Sequence, residues 1–335
     1  MTVVSQLTER ELVARIRQRL APAPEWLLVG IGDDAAVVEP ERNRVEVLTV
    51  DAVVDGVHFD RAFTPPDAIG HRALAVNLSD LAAMGAAPRL ALLSMALPPS
   101  LPLEDYDAIA GGIARLAAAE RLHVVGGNLT KTPGPLTIDI AVVGTVKRRQ
   151  ALTRSGARAG DEVYVSGALG GAAAGLALLR RFGATPAGSP HASAVVDRYL
   201  RPQPRVRLGL MLARNRAASA CVDLSDGLAD GLHRIAEASG VGIAIDGDAL
   251  PIDPAARALC DERGDDPVRA AICGGDDYEL LFTVRPRTRR RLTAAARHGG
   301  AALTRIGACT ADRAVVVQRG GAPMPVPEGY SHFAP

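Results

Sequence analysis

Aromatic side chains are scarce in this sequence of 335 residues, where Phe, Trp and Tyr together make up 3%. That excludes a stacking platform for single-stranded nucleic acid and leaves the cores to Ala, Val, Leu and Ile. Lysine is nearly absent: Lys131 and Lys147 stand alone and arginine supplies the other basic residues. The coding bias of a GC-rich genome accounts for that choice, so no arginine-specific recognition is read from it. Neither sign of charge prevails, with 38 Lys+Arg against 37 Asp+Glu and a net charge of +1. The balance argues against a nucleic-acid module built on a broad basic face and against a polybasic membrane anchor. The four cysteines, Cys221, Cys260, Cys273 and Cys309, include no CxxC pair and have no His pair nearby. A zinc site or disulfide framework is not expected, and a reducing cytoplasm is. The first dozen residues are charged with no apolar h-region, so no signal peptide is expected. No apolar run reaches the roughly 18 residues of a transmembrane helix. The sequence also lacks GxxxxGK[ST], a GxGxxG opening a helix after a strand, and any Ser–His–Asp or Cys–His grouping. P-loop chemistry is thereby excluded, a dinucleotide fold is poorly supported, and covalent catalysis has no candidate nucleophile.

What remains is an ordinary globular composition, 48% hydrophobic and 22% charged, with a length that suits two domains. Thr8 and Glu11 form a capping box ahead of Leu12, Ile16 and Leu20 at helical spacing. Helices are expected over 67–84 and 105–121, and strands over 45–50, 90–97, from 123 and over 136–146. A polar and basic stretch, 147–160, reads as a junction. The second half restarts with a strand over 162–165 and a helix through Arg181. A Pro-, Gly- and Ser-rich loop over 185–191 follows, and then alternating helices and strands. The domains expected are 1–148 and 149–335, each of α/β or α+β layering.

Aspartates recur at strand ends: Gly32-Asp33-Asp34, Thr49-Val50-Asp51, Asn77-Leu78-Ser79-Asp80 and Asp223-Leu224-Ser225-Asp226-Gly227. Such oxygen-only sets suit hard cations, Mg²⁺ above all when phosphates complete the shell. Each also has a plain structural reading: Asp226 suits a helix N-cap, and Asp33 and Asp34 suit a turn. The glycines at Gly126-Gly127-Asn128, Gly167–Gly171 and Gly274-Gly275-Asp276-Asp277 let backbone N–H groups approach a phosphate, or simply make tight turns. Of seven histidines only His58 lies in a dense motif, Asp55-Gly56-Val57-His58-Phe59, where a phosphate contact and a structural hydrogen bond are equally open.

GIGDDAAVV, LTVDAVVDGVHF, LAVNLSDLAAMGA, VVGGN, ALTRSGARAGD, CVDLSDGL and GGDDYELLFT occur in that order and span most of the chain. Together they resemble the thiamine-monophosphate kinase family, within the aminoimidazole ribonucleotide synthetase-like superfamily. The resemblance implies a two-domain PurM-like α/β architecture. Its N-terminal domain pairs strands in a homodimer and binds ATP, and C-terminal loops close over nucleotide and substrate. It implies Mg²⁺- and ATP-dependent conversion of thiamine monophosphate to thiamine diphosphate in the cytoplasm, with no nucleic-acid or membrane partner. Carried over by motif, the Mg²⁺ ligands are Asp34, Thr49, Asp51, Asp80, Asp223 and Asp226. Nucleotide contacts fall on Gly127, Asn128, Arg154 and Ser225, and substrate contacts on His58, Asp276 and Tyr330.

Three positions depart from the family pattern. Val50 stands where a second hydroxyl is common, Asn128 where Asp is frequent, and Asp276 where Glu is usual. The competing readings are another ATP-dependent enzyme of the superfamily and a catalytically impaired nucleotide- or metal-binding homologue. Selenophosphate synthetase-like chemistry lacks its N-terminal Cys and Lys, because no Cys precedes Cys221 and no Lys precedes Lys131.

Overall fold

Thr8 opens the first helix, α1 (Glu9–Arg17), with the capping box its spacing calls for: the Glu11 N–H donates to Thr8 Oγ1, and the Thr8 N–H donates to Glu11 Oε2 at 2.7 Å. The structure is a computed structural model and describes residues 2–183, 190–320 and 322–326. The chain divides into two compact units, Met1–Leu81 with Ala87–Arg148, and Ala82–Ala86 with Arg149–Pro335.

In the first unit, α1 is followed by the short strands β1 (Leu27–Val29) and β2 (Val37–Val38), then β3 (Arg44–Val54), α2 (Pro66–Ala83), β4 (Ala87–Leu97), α3 (Leu103–Ala119), β5 (His123–Lys131) and β6 (Thr137–Lys147). The main sheet has the order β3-β6-β4-β5, antiparallel except for the parallel pair β4 and β5. Its inward residues include Val53, Ile138, Ile140, Val142, Leu93 and Met95, and all are buried. The helices contribute Ile69, Leu74, Leu78, Leu81, Ile109 and Ile113 to the same core. With few aromatics to fill space, α2 and α3 approach until their backbones touch. A Cβ on Gly70 would run into the Ile109 carbonyl oxygen, and one on Gly112 into that of Asp67. The opposite face of the sheet stays open. Val50, Ala141 and Leu92 stand side by side in register across β3, β6 and β4, with Val50 60% and Leu92 44% exposed.

The second unit contains β7 (Glu162–Ser166), α4 (Gly171–Phe182), α5 (Pro190–Leu200), α6 (Val206–Asn215), β8 (Ala220–Asp223), α7 (Leu228–Ser239), β9 (Gly242–Asp246), α8 (Pro254–Arg263), α9 (Pro267–Cys273), β10 (Leu280–Val284), α10 (Arg289–Gly299), β11 (Leu303–Thr310), β12 (Val315–Arg319) and β13 (Ala322–Pro325). Seven strands form one sheet in the order β13-β12-β9-β11-β7-β10-β8. Alternation sends Val163, Val165, Val222 and Leu281 into a core shared with Leu232, Ile235 and Ile272.

Most expected elements stand where the periodicity put them, with ends shifted by a few residues. Helix α9 and strands β1, β2 and β13 are additions, each too short for a periodic signal. The loop expected over 185–191 falls largely outside the described residues, and His191 belongs to α5.

The close helix contact gives a stability test. Gly70→Ala should destabilise the protein by about 1–3 kcal/mol, because the crowded atom is rigid backbone. Gly111→Ala, whose Cβ would meet only the end of the Arg115 side chain, should be neutral or slightly stabilising through helix propensity. Urea unfolding of both variants checks the difference.

Candidate active site

Strand alternation decides which residues of LTVDAVV face the helices of the first unit. Thr49 and Asp51 share the helix side, while Leu48 and Val50 point to the open face. Position 50 therefore directs its side chain away from Thr49 and Asp51, so the absence of a hydroxyl there leaves the helix-side pair intact. On α2, Asn77 and Asp80 lie three residues apart on one face. Asn77 is fully buried and joins helix to strand: its Oδ1 accepts the Asp51 N–H at 3.0 Å, and its Nδ2 donates to the Asp51 carbonyl at 3.4 Å and to the Ala73 carbonyl at 3.1 Å. One turn on, Thr49 Oγ1 donates to Asp80 Oδ2. The sequence motifs 49–51 and 77–80 thus meet in space as one polar cluster.

Asp34 lies in the exposed loop between β1 and β2, where its N–H donates to Asp33 Oδ1 at 2.9 Å. His58 Nδ1 accepts the Val54 N–H at 3.1 Å, which makes Nε2 the proton-bearing nitrogen of the neutral ring. Gly126, Gly127 and Asn128 lie inside β5, not in a turn after it. The register slips by one residue between Ala91 and Leu92, so Val125 is the extra residue of a bulge, and Gly126 and Gly127 follow it opposite Leu92 and Leu93. Gly127 has φ 156°, and a Cβ there would strike the Leu93 carbonyl. Strand β5 is at the sheet edge, and Gly127 and Asn128 are exposed on it. A separate groove of about 490 Å³, lined by Arg17, Leu20, Gly30 and His123 among others, contains no carboxylate and none of the nominated residues.

In the second unit Asp223 ends β8 and is buried, with 8% of its surface exposed. Ser225 and Asp226 follow in the turn to α7. Asp226 does not cap that helix: Gly227 stands at the cap, and the Asp226 carboxylate pairs with Arg234 at 3.0 Å. The turn is zipped to the GGDDYE segment, because Asp276 N–H donates to the Ser225 carbonyl at 2.8 Å and Tyr278 N–H to the Leu224 carbonyl at 3.0 Å. DLSDG and GGDDYE are thereby neighbours, with Asp276 half-buried beside Ser225. Arg154 is exposed. The preceding Thr153 carbonyl accepts the Cys221 N–H at 2.9 Å, which lays this segment along β8. Tyr330 lies outside the described residues.

Most amides of the Gly167–Gly171 segment are already bonded within the protein, which argues against a phosphate cradle. Gly167 N–H donates to the Ala302 carbonyl and Leu169 N–H to that of Pro251. Gly170 and Ala172 donate to the Asp277 carboxylate at 2.6 and 3.2 Å. Burial pushes the Asp277 pKa up to about 7, against the pull of those amides and of Arg198. Beside it Glu279 is fully buried, held by the Arg205 guanidinium (Nε to Oε2, 2.7 Å) and by Ser166 Oγ at 2.6 Å. The motif reading missed this network. Its visible signal was acids at positions 277 and 279 of a segment leading straight into an apolar strand.

Among the described residues, no three His, Cys, Asp or Glu side chains cluster into a ready metal cage. The donors present are nevertheless all oxygen and short-armed: Thr49, Asp51 and Asp80 in one unit, Asp223 and Asp226 in the other. Mg²⁺ keeps several waters and is held by one or two carboxylates together with ligand phosphates, so this donor set fits it.

The sequence matches the AIR synthase related protein, N-terminal domain family over residues 32–146 and the AIR synthase related protein, C-terminal domain family over residues 158–320. The fold and the aspartate-tipped strands are thus those of an AIR synthase related protein with both of its domains. Closer likenesses are narrower. Thiamine-monophosphate kinase of Escherichia coli (strain K12) is 38% identical over 329 residues, covering 97% of this chain and 98% of that one. The structure of thiamine-monophosphate kinase from Stenotrophomonas maltophilia K279a has a TM-score of 0.84 at 40% identity, over 94% of this chain and 98% of that one. AaThiL complexed with AMPPCP and TMP has a TM-score of 0.78 at 33% identity, over 99% of each chain. The chain belongs to the thiamine-monophosphate kinase family.

The raised pKa of Asp277 has a signed consequence. An acid that titrates near 7 when folded and near 4 when unfolded binds more protons in the folded state between those values. Its contribution to stability is greatest below about pH 4 and is lost as pH rises through 7. Asp277→Asn removes that dependence, so the difference in unfolding free energy between variant and wild type should move in favour of the variant from pH 4 to pH 8. Urea titrations across that range measure it.

Proposed function

We propose that this chain transfers the γ-phosphoryl group of ATP directly to thiamine monophosphate, giving thiamine diphosphate. The observation that carries the reading is the match to thiamine-monophosphate kinases along nearly the whole chain. The Thr49–Asp80 and Asp51–Asn77 contacts support it by giving that match a polar cluster with fitting chemistry. The relative holding AMPPCP, an ATP analogue, together with TMP supports the two ligands.

The acceptor is a phosphate monoester whose second pKa is about 6, so it is largely dianionic at neutral pH. No side chain has to remove a proton from it, which fits a cluster of carboxylates with no general base. The obstacle is electrostatic, since two polyanions must come into line. Mg²⁺ bound by these residues would supply charge neutralisation of the phosphates. Asp51, Asp80 and Thr49 would hold it in the first unit, with Asp34 contributing from its loop. Asp223 and Asp226 are the corresponding donors of the second unit, and Arg234 keeps the Asp226 carboxylate oriented. Gly127 and Asn128 offer backbone and amide groups to the nucleotide, joined by Arg154 and Ser225. Neutral His58 donates from Nε2 to substrate phosphate, and Asp276 meets thiamine, as does Tyr330.

A homodimer built on the open face of the first sheet is part of the same reading. Leu48 is 70% exposed and Val50 60%, and with Leu92 they form an apolar patch that a second copy would cover. Among the described residues no helix is long and apolar enough to cross a membrane. ATP as co-substrate and four free cysteines fit a cytoplasmic setting.

Steady-state formation of thiamine diphosphate from ATP and thiamine monophosphate tests the reading, with thiamine and aminoimidazole precursors as controls. Asp51→Ala and Asp80→Ala should each lower turnover at least a hundredfold while leaving the thermal midpoint near wild type. Near-wild-type turnover in either would remove the metal assignment. Leu92→Glu should shift the protein to a monomer in sedimentation analysis, and an unchanged dimer would remove the interface from this face.

A further inference from the structure

Asp276 and Tyr278 both adopt positive φ, 67° and 50°, although neither is glycine. Side chains disfavour that region, and such backbone persists only where its surroundings over-determine it. Here they do. The backbone amides of 276 and 278 are bonded to the carbonyls of Ser225 and Leu224, and the Leu224 N–H returns to the Glu279 carbonyl at 2.8 Å. The intervening Asp277 is locked onto the start of α4, and Glu279 onto Arg205 and Ser166. The outcome is a two-residue spacing that brings the Tyr278 hydroxyl to Asp276 Oδ1 at 3.1 Å, with the tyrosine 6% exposed. A bond to Oδ1 from a ring that cannot swing fixes the plane in which Oδ2 lies.

We propose that Tyr278 is a positioning residue for the substrate, its hydroxyl pre-orienting the Asp276 carboxylate that meets thiamine monophosphate. The proposal rests on the assignment of Asp276 to substrate made above. A carboxylate suits either the cationic thiazolium or the amino group of the pyrimidine, and both reward a fixed direction. Loss of the tyrosine hydroxyl removes one contact that orients the carboxylate, a cost that falls on substrate affinity.

The test is a double-mutant cycle of Tyr278→Phe and Asp276→Asn, with KM for thiamine monophosphate, KM for ATP, kcat and thermal midpoint measured for each protein. Tyr278→Phe should raise KM for thiamine monophosphate about fivefold, the size expected for one net hydrogen bond. The change should be carried by KM rather than kcat, with KM for ATP and the midpoint close to wild type. In the Asp276→Asn background the same substitution should add nothing. A Tyr278→Phe enzyme with wild-type KM overturns the proposal. So does an equal increment in both backgrounds, and so does a parallel loss of ATP affinity and thermal stability, which would mark the tyrosine as structural. Asp276→Asn alone with wild-type KM would remove the substrate assignment itself, whereas an Asp276→Asn defect beside a silent Tyr278→Phe overturns only the positioning role.

Discussion

The side-chain amide of Asn77 is the contact on which the first unit's polar cluster depends. It is buried inside α2, and it bonds both the N–H and the carbonyl of Asp51 on β3. A buried amide with no partner would be costly, so helix and strand are held at one separation and one register. That separation lets residues as short as Thr49 and Asp80 touch. Had the helix stood further from the sheet, longer acids would have been needed, with more rotamer freedom and less definition of where their charge lies.

The same economy of size runs through the cores. A chain with few aromatic residues packs by bringing backbones together, as α2 and α3 do at Gly70 and Gly112. The second unit reaches a fixed geometry by another route. There the DLSDG and GGDDYE turns share backbone hydrogen bonds, and the acids between them are buried against a helix start and two arginines. Each arrangement keeps carboxylates in place before any ligand arrives. For the proposed reaction between two anionic partners such fixed geometry is an advantage, since groups that would gather cations must not relax out of place.

Much of this was legible in the residues. The capping box at Thr8 and Glu11, the long apolar helix over 66–83 and the alternating strands announce themselves by period. The meeting of Thr49 and Asp51 with Asn77 and Asp80 was not legible, because it is a contact between separate elements, although both motifs stood out for their oxygen-rich content. The glycine runs left two readings open for a definite reason. Glycine marks a backbone that needs room, not what fills it: at Gly127 the room is taken by the Leu93 carbonyl, and at Gly170 the amide is taken by Asp277. The ion network around Glu279 was hidden by its own burial, since a charged residue at the threshold of an apolar strand has no spacing signature until its arginines, 74 and 81 residues away, are seen beside it.

The central claim is that these residues bring two phosphorylated molecules together and let one attack the other without help from a protein nucleophile. Following the label from γ-³²P-ATP tests it most directly. With thiamine monophosphate and Mg²⁺ present, the label should appear in thiamine diphosphate and at no time on the protein. Without the acceptor it should stay on ATP. A phosphorylated protein that passes its label to thiamine monophosphate, or turnover that leaves thiamine monophosphate unlabelled, would contradict the account.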